Sequence, residues 1–345
     1  MMIIATISSY QTRTRKVRTP MKPSSEVVNK PISAAVYRKR SSFVSDLMRN
    51  HSLYVMFLPV GILLLVFNYL PLAGLIIAFK NYDFARGIFG SPWAQPILNN
   101  FDYLLSSDAA SRAVRNTILL NGLFIAVGLV FEVGLALMLN EVRNKYFKRI
   151  TQSITFLPFF ISWIVVGVFT YNLLNYENGA INRIVEWLGF QPIDFYSEAG
   201  LWPLILTIAI RWKVTGYGTI IYLAALTSID NSYYEAASID GASRWQQIRF
   251  ISIPMLRPTI IILTLLAVGR IMNADFGMFY AMVGDASLLY PTTDVIDTLV
   301  YRSLRKSGDI GMASAAGFIQ SVVAFVLVLG SNYAARKVDK DSAIF

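Results

Sequence analysis

The chain has 345 residues, 55% of them hydrophobic and 15% charged, with a mean hydropathy of +0.50, no cysteine and a single histidine, His51. A soluble domain carries about 25% charged residues, and here the deficit is gathered in long apolar runs, so the composition excludes an ordinary soluble enzyme and indicates an all-α polytopic membrane protein. One histidine and no thiol exclude disulfides and thiolate metal sites and leave no material for a zinc centre or a histidine-based triad, so the chain is read as non-catalytic and without a metal or cofactor of its own.

The net charge of +10 is lopsided, because residues 1–52 hold ten Lys/Arg against Glu26 and Asp46. No aromatic or motif context supports nucleic-acid binding by this segment, and positive charge ahead of a first apolar run reads as a cytoplasmic anchor. That run starts near residue 53 and is too long for the apolar region of a cleaved signal peptide. Residues 1–50 are expected to be a basic, disordered extension, residues 51–340 a membrane domain, and residues 341–345 a cytoplasmic tail.

Six spans follow in chain order: about 53–79, 113–139, 151–174, 201–226, 257–283 and 312–335. Each is long enough, at about 1.5 Å per residue, to cross a hydrocarbon core of about 30 Å. The third holds Pro158, tolerated where neighbours satisfy the freed carbonyl. The first outer loop, residues 80–112, is turn-rich around Asn81–Phe84 and Pro92, and its Asn100–Leu105 stretch reads as a short interfacial helix. The second-to-third loop carries Arg143, Lys145, Lys148 and Arg149 against Glu141, whereas the third-to-fourth carries Glu177, Glu186, Asp194 and Glu198 against Arg183. Basic loops face the cytoplasm, so both termini and the fourth-to-fifth loop are expected inside. The outer loop at 284–311 turns at Tyr290-Pro291 and holds a helical stretch, Thr293–Leu304.

The fourth-to-fifth loop, residues 231–256, runs Tyr234-Glu235-Ala236-Ala237-Ser238-Ile239-Asp240-Gly241-Ala242-Ser243-Arg244-Trp245 and on to Ile253-Pro254. Asn231 or Ser232 can cap a first helix, with Glu235 at the capping-box position. Gly241 permits a sharp turn, and a second amphipathic helix, Ser243–Ser252, is expected to end before Pro254. Ala236 and Ala237 let another backbone approach, and Glu235 and Asp240 offer charge to a basic partner. Read from these residues alone, the loop is equally a linker resting on the headgroups.

The Glu-Ala-Ala run, the glycine four residues after its second alanine and the Ile-Ser-Ile-Pro end resemble the EAA loop of permease subunits of binding-protein-dependent ABC importers. The resemblance covers about residues 50–340; Ile253 stands where the family often has leucine before the proline. It implies a type I importer permease fold and a non-catalytic translocation subunit. Glu235, Ala236, Ala237, Asp240 and Gly241 would couple it to an ATPase dimer that binds ATP and Mg. It also implies a second homologous permease, an extracytoplasmic solute-binding protein and a place in a bacterial inner membrane. The chain has no P-loop of its own. Within the family it looks most like the carbohydrate branch, through Tyr69-Leu70-Pro71-Leu72, Asn81–Phe84 and Phe156-Leu157-Pro158, and is similar to alginate-type importers.

Charged residues inside spans mark cavities or partners. Lys213 and Tyr217 share a face of the fourth span. On an ideal helix Arg270, Asn273, Gly277 and Tyr280 share a face of the fifth, and Gln320 and Ser314 lie in the sixth. Cation, amide and ring together suit a sugar, and two mid-depth cations suit an acidic oligosaccharide of the uronate type. Pairing of Lys213 and Arg270 with the partner permease, and helix joining by Gln320, fit the same residues. The rival functions are a permease for a neutral sugar, amino acid or peptide, an ion-coupled secondary transporter, and a membrane-embedded enzyme or scaffold.

Overall fold

The computed structural model describes residues 48–338. The basic extension up to residue 47 and the tail from 339 lie outside the described residues. The chain divides after Ile62 into two compact units. The described part of the first is helical, and the helix that begins in it, α1 (His51–Leu64), has no buried side chain. A helix apolar all round belongs in a protein core or a membrane.

Beyond Leu64 the backbone runs on as a π-helical turn, Leu65–Tyr69, and a 3-10 stretch, Leu70–Phe79. The π turn has a local cause. Pro71 has no N–H and its ring crowds the carbonyl four residues earlier, and the Leu70 N–H reaches back to the Leu65 carbonyl, widening the helix just ahead of the ring. α2 (Asn99–Ser106) covers the short helix expected at 100–105, and is followed by α3 (Asp108–Glu141), capped by Ser107. Next come α4 (Lys145–Phe156), α5 (Trp163–Leu174), α6 (Ala180–Trp187) and α7 (Trp202–Thr227). The loop helices are α8 (Asn231–Ile239) and α9 (Arg244–Gln247); α10 (Ile253–Val268), α11 (Phe276–Met282), α12 (Ile296–Ser307) and α13 (Ile310–Val338) complete the order. Among the described residues the only β pairing is one antiparallel bridge, Lys80 with Trp93.

Five helical segments are long and apolar enough to cross a membrane, and six if a bent pair counts as one. That pair falls on the span expected at 151–174 and shows it to be sharply bent. Lys145–Phe160 and Trp163–Leu174 meet at 96°, because a 3-10 turn containing Pro158 ends the first half and Ser162 caps the second. The fifth span is also not the single helix expected over 257–283. It begins at Arg244 and stops at Val268, residues 269–275 are irregular, and α11 follows. At its start a π turn, Ile248–Ser252, carries the helix through Pro254, with the Ile253 N–H bonded to the Ile248 carbonyl. The second loop helix therefore does not end before that proline but becomes the span. The outer helix expected over 293–304 lies at Ile296–Ser307.

α3 and α7 are the central pair. Leu120, Phe124, Trp202 and Leu206 anchor one end of their interface with α11, and Ala136, Leu139, Tyr222 and Leu226 the other with α10. α4 lies against α7 where a Cβ on Gly216 would overlap the Thr155 carbonyl. Gly216→Val is expected to lower stability by about 1–3 kcal/mol through overpacking, read as a reduced melting temperature in detergent. Gly122→Ala, which adds a Cβ to open space, should leave it unchanged.

Candidate functional site

The loop between the fourth and fifth spans is a rigid helical pair. Asp230 caps α8, its Oδ1 accepting the Ser232 N–H at 2.9 Å, and that bond holds the Asp230 carboxyl below its usual range. The cap lies ahead of both expected positions, Asn231 and Ser232, so Glu235 falls outside the capping-box position, and it is exposed. α8 closes with the Ala242 N–H on the Ala237 carbonyl at 2.9 Å, around Gly241 at φ +79°. No atom lies within 4 Å of a Cβ built on Gly241, so glycine is needed for backbone conformation, not space.

Ser243 and Gln246 form a capping box on α9. Two side-chain bonds fix the angle between the helices: Tyr234 to Ser252 at 3.0 Å, and Gln247 Nε2 to Ser238 Oγ at 2.9 Å. Arg244 adds an ion pair to Glu141 at the end of α3, at 3.7 Å. Glu235, Ala236, Asp240 and Gly241 are exposed and Ala237 half-buried. Beside them Ile239, Trp245 and Phe250 are 87%, 67% and 69% exposed. Apolar side chains this bare, rimmed by charge, mark a surface for contact with a protein or with the membrane.

At the other end of the same continuous helix lies a cavity of about 300 Å³ between α3, α7, α10 and the 269–275 break. Arg270 and Asn273 line it, with Asn121, Asp275 and the pair Glu132–Arg211. Among the described residues Arg270 has no ion-pair partner. Gly277 and Tyr280 are not in this wall, because the break removes them from a common helix with Arg270. Gly277 packs on Trp163, where a Cβ would come within 3.2 Å of the ring, and Tyr280 stacks on Phe276 and meets Tyr301 edge-on.

Lys213 also lies elsewhere. It is buried, and its Nζ donates to the carbonyls of Phe159 at 2.7 Å, Pro158 at 3.4 Å and Ile161, with the Phe159 and Trp163 rings beside it. The cation caps the bend of the third span. Tyr217 stacks on Phe159 with centroids 4.6 Å apart. Gln320 Nε2 donates to the Met272 carbonyl at 3.0 Å, joining α13 to the break. Asn121 holds the Ile271 carbonyl at 2.7 Å, and Asp297 accepts the Ala274 N–H at 2.9 Å. Burial pushes the Asp297 carboxyl up, and the Ala274 bond opposes that shift. Trp163 Nε1 donates to Asp275 at 2.6 Å, tying the two broken spans together. The sequence reading missed Glu132 and Arg211. They are charges of opposite sign in two apolar spans, and that was the available signal.

A bundle with two interrupted spans around a polar cavity, and an exposed helical pair continuous with one of them, defines a membrane transport subunit. The family model described as binding-protein-dependent transport system inner membrane component matches residues 119–340, and the chain belongs to that family. It is 35% identical to Protein LplB of Bacillus subtilis (strain 168) over 88% of this chain and 94% of that one. It is 32% identical to the polygalacturonan/rhamnogalacturonan transport system permease protein YteP of the same organism, over 89% and 95%. A chain of a bacterial ABC transporter involved in the import of the acidic polysaccharide alginate superposes with a TM-score of 0.78 at 34% identity, covering 86% of this chain and 99% of that one.

Lys213→Met removes the donor from three carbonyls at the bend. It is expected to cost about 1–3 kcal/mol, measured as a lower melting temperature in detergent, and to impair transport of every substrate alike.

Proposed function

We propose that the chain forms half of the translocation path of an ATP-driven importer for an acidic oligosaccharide. It works with a second homologous permease, an ATPase dimer that carries ATP and Mg, and a solute-binding protein that delivers the sugar from outside. Both termini face the cytoplasm, as the loop charges require. The observation that carries this reading is the single helix from Arg244 to Val268, with the exposed loop at one end and Arg270 and Asn273 in a cavity wall just past the other. Glu235, Ala236, Asp240 and Gly241 present the docking surface, Ala237 packs beneath it, and the Tyr234 and Gln247 bonds make the pair move as one body. A push on this body reaches the cavity as rigid rotation of the span.

Arg270 supports an acidic cargo, since it is exposed in the cavity wall and has no ion-pair partner among the described residues, which leaves its guanidinium open to a carboxylate. The acidic polysaccharide named for the similar alginate transporter, and the polygalacturonan named for YteP, point the same way. Lys213 and Gln320 are assigned to holding the bends, and Tyr217, Gly277 and Tyr280 to the aromatic packing around them.

In proteoliposomes containing the assembled importer, uronate oligosaccharides with the binding protein should stimulate ATP hydrolysis more than neutral ones of equal length. Equal or better stimulation by neutral sugars would overturn the acidic assignment. Gly241→Val, which forces a β-branched residue into a left-handed conformation at a cost of about 1–2 kcal/mol, should abolish the stimulation while the subunit still inserts. Normal uptake by that variant would remove the loop from the coupling mechanism, and uptake driven by an ion gradient without ATP would replace the importer with a secondary transporter.

A further inference from the structure

The pair Glu132–Arg211 has no role in holding either broken span. It joins α3 to α7 through one N–H···O bond of 3.1 Å, with side chains 18% and 12% exposed. Room for it is cleared by two glycines: a Cβ on Gly128 would fall on the Arg211 guanidinium, and one on Gly218 on the Glu132 carboxylate. Two apolar side chains of similar volume would join the helices as well or better, because desolvation of a buried ion pair commonly cancels its attraction. A packing role therefore does not account for the charges.

Two details point to recognition. Arginine binds a carboxylate best through two parallel N–H groups, and this pair uses one Nη1. Its Nε is buried and has no hydrogen-bond partner among the described residues. The guanidinium thus has donor capacity that Glu132 leaves unmet, and it lines the cavity that also holds Arg270. About 300 Å³ is at the low end of small-ligand pockets and suits one sugar unit of a chain at a time.

We infer that Arg211 reads the carboxylate of the passing uronate unit and that Glu132 is the counter-ion the substrate displaces. The inference rests on the acidic-oligosaccharide reading. Arg211 turns its two parallel donors to the incoming carboxylate while Arg270 attracts the same charge from the cavity wall. As the unit moves on, Glu132 recovers its bond, so the cation is never left uncompensated in a low-dielectric site. The partner exchange also favours release, because Glu132 competes for the guanidinium throughout.

The test uses the complete importer in proteoliposomes with its binding protein, a uronate oligosaccharide and the carboxyl-reduced form of the same length. Arg211→Gln should raise the uronate concentration that half-saturates ATP hydrolysis by about tenfold or more, the loss of a charge-assisted bond, and leave the reduced sugar's value unchanged. Glu132→Gln should lower the uronate value by removing the competitor. The charge swap E132R/R211E keeps an ion pair at the same place and should restore the melting temperature without restoring uronate preference. If the swap restores uronate stimulation, or if both single variants impair the two sugars equally, the pair is only structural and the inference falls. A wild-type complex with no uronate preference would overturn the acidic reading and this assignment together. A preference that survives Arg211→Gln would overturn this assignment alone.

Discussion

Inside a bilayer no water is available to the peptide group, so each backbone N–H and C=O must find a partner in the protein. A continuous helix meets that demand by itself, whereas this chain interrupts two spans and must meet it with side chains. Lys213 supplies the bend after Phe160. Asn121, Gln320 and Asp297 supply the break at 269–275 from three different helices. The polar residues that stand out in the greasy segments are for the most part the completion of backbone hydrogen bonding, and the cavity exists because the completion is done from the sides.

The break also defines what is rigid. From Arg244 to Val268 the helix is unbroken, carried past Pro254 by a π turn, and the Tyr234–Ser252 and Gln247–Ser238 bonds join α8 to it. Beyond Val268 the irregular backbone separates this body from α11, which is packed instead on α5 where a Cβ on Gly167 would overlap the Ala281 carbonyl. The interior thus contains two packed groups of helices that meet at Arg270–Asp275, the stretch that links the loop-bearing span to α11.

Much of this was legible in the sequence. The number of spans follows from apolar length, and the loop from its Glu-Ala-Ala and glycine spacing, because both are local patterns. The bends were not legible. Pro158 announced a disturbance in the third span, but a 96° turn depends on the donor that Lys213 brings from another helix. The fifth span has no proline or glycine pair at its interruption, only Gly269, so Arg270, Asn273, Gly277 and Tyr280 projected onto one helix face that the fold does not contain. Lys213 looked like a ligand-binding cation for the same reason: a buried lysine on an apolar helix has one appearance in sequence, whether it meets a sugar or three carbonyls. Glu132 and Arg211 were findable as opposite charges in separate spans, although nothing local pairs residues 79 positions apart.

The tie between the two interrupted spans bears on how the protein is made. The carbonyls at Pro158–Ile161 precede their donor, Lys213, by more than 50 residues, and Trp163 precedes Asp275 by 112. When the third span is synthesised Ser162 is present to cap its second half, but Lys213 and Asp275 are not. Those two contacts can form only once the fourth span and the residues after the fifth have been made. The bent architecture is therefore completed by partners that come later in the same chain.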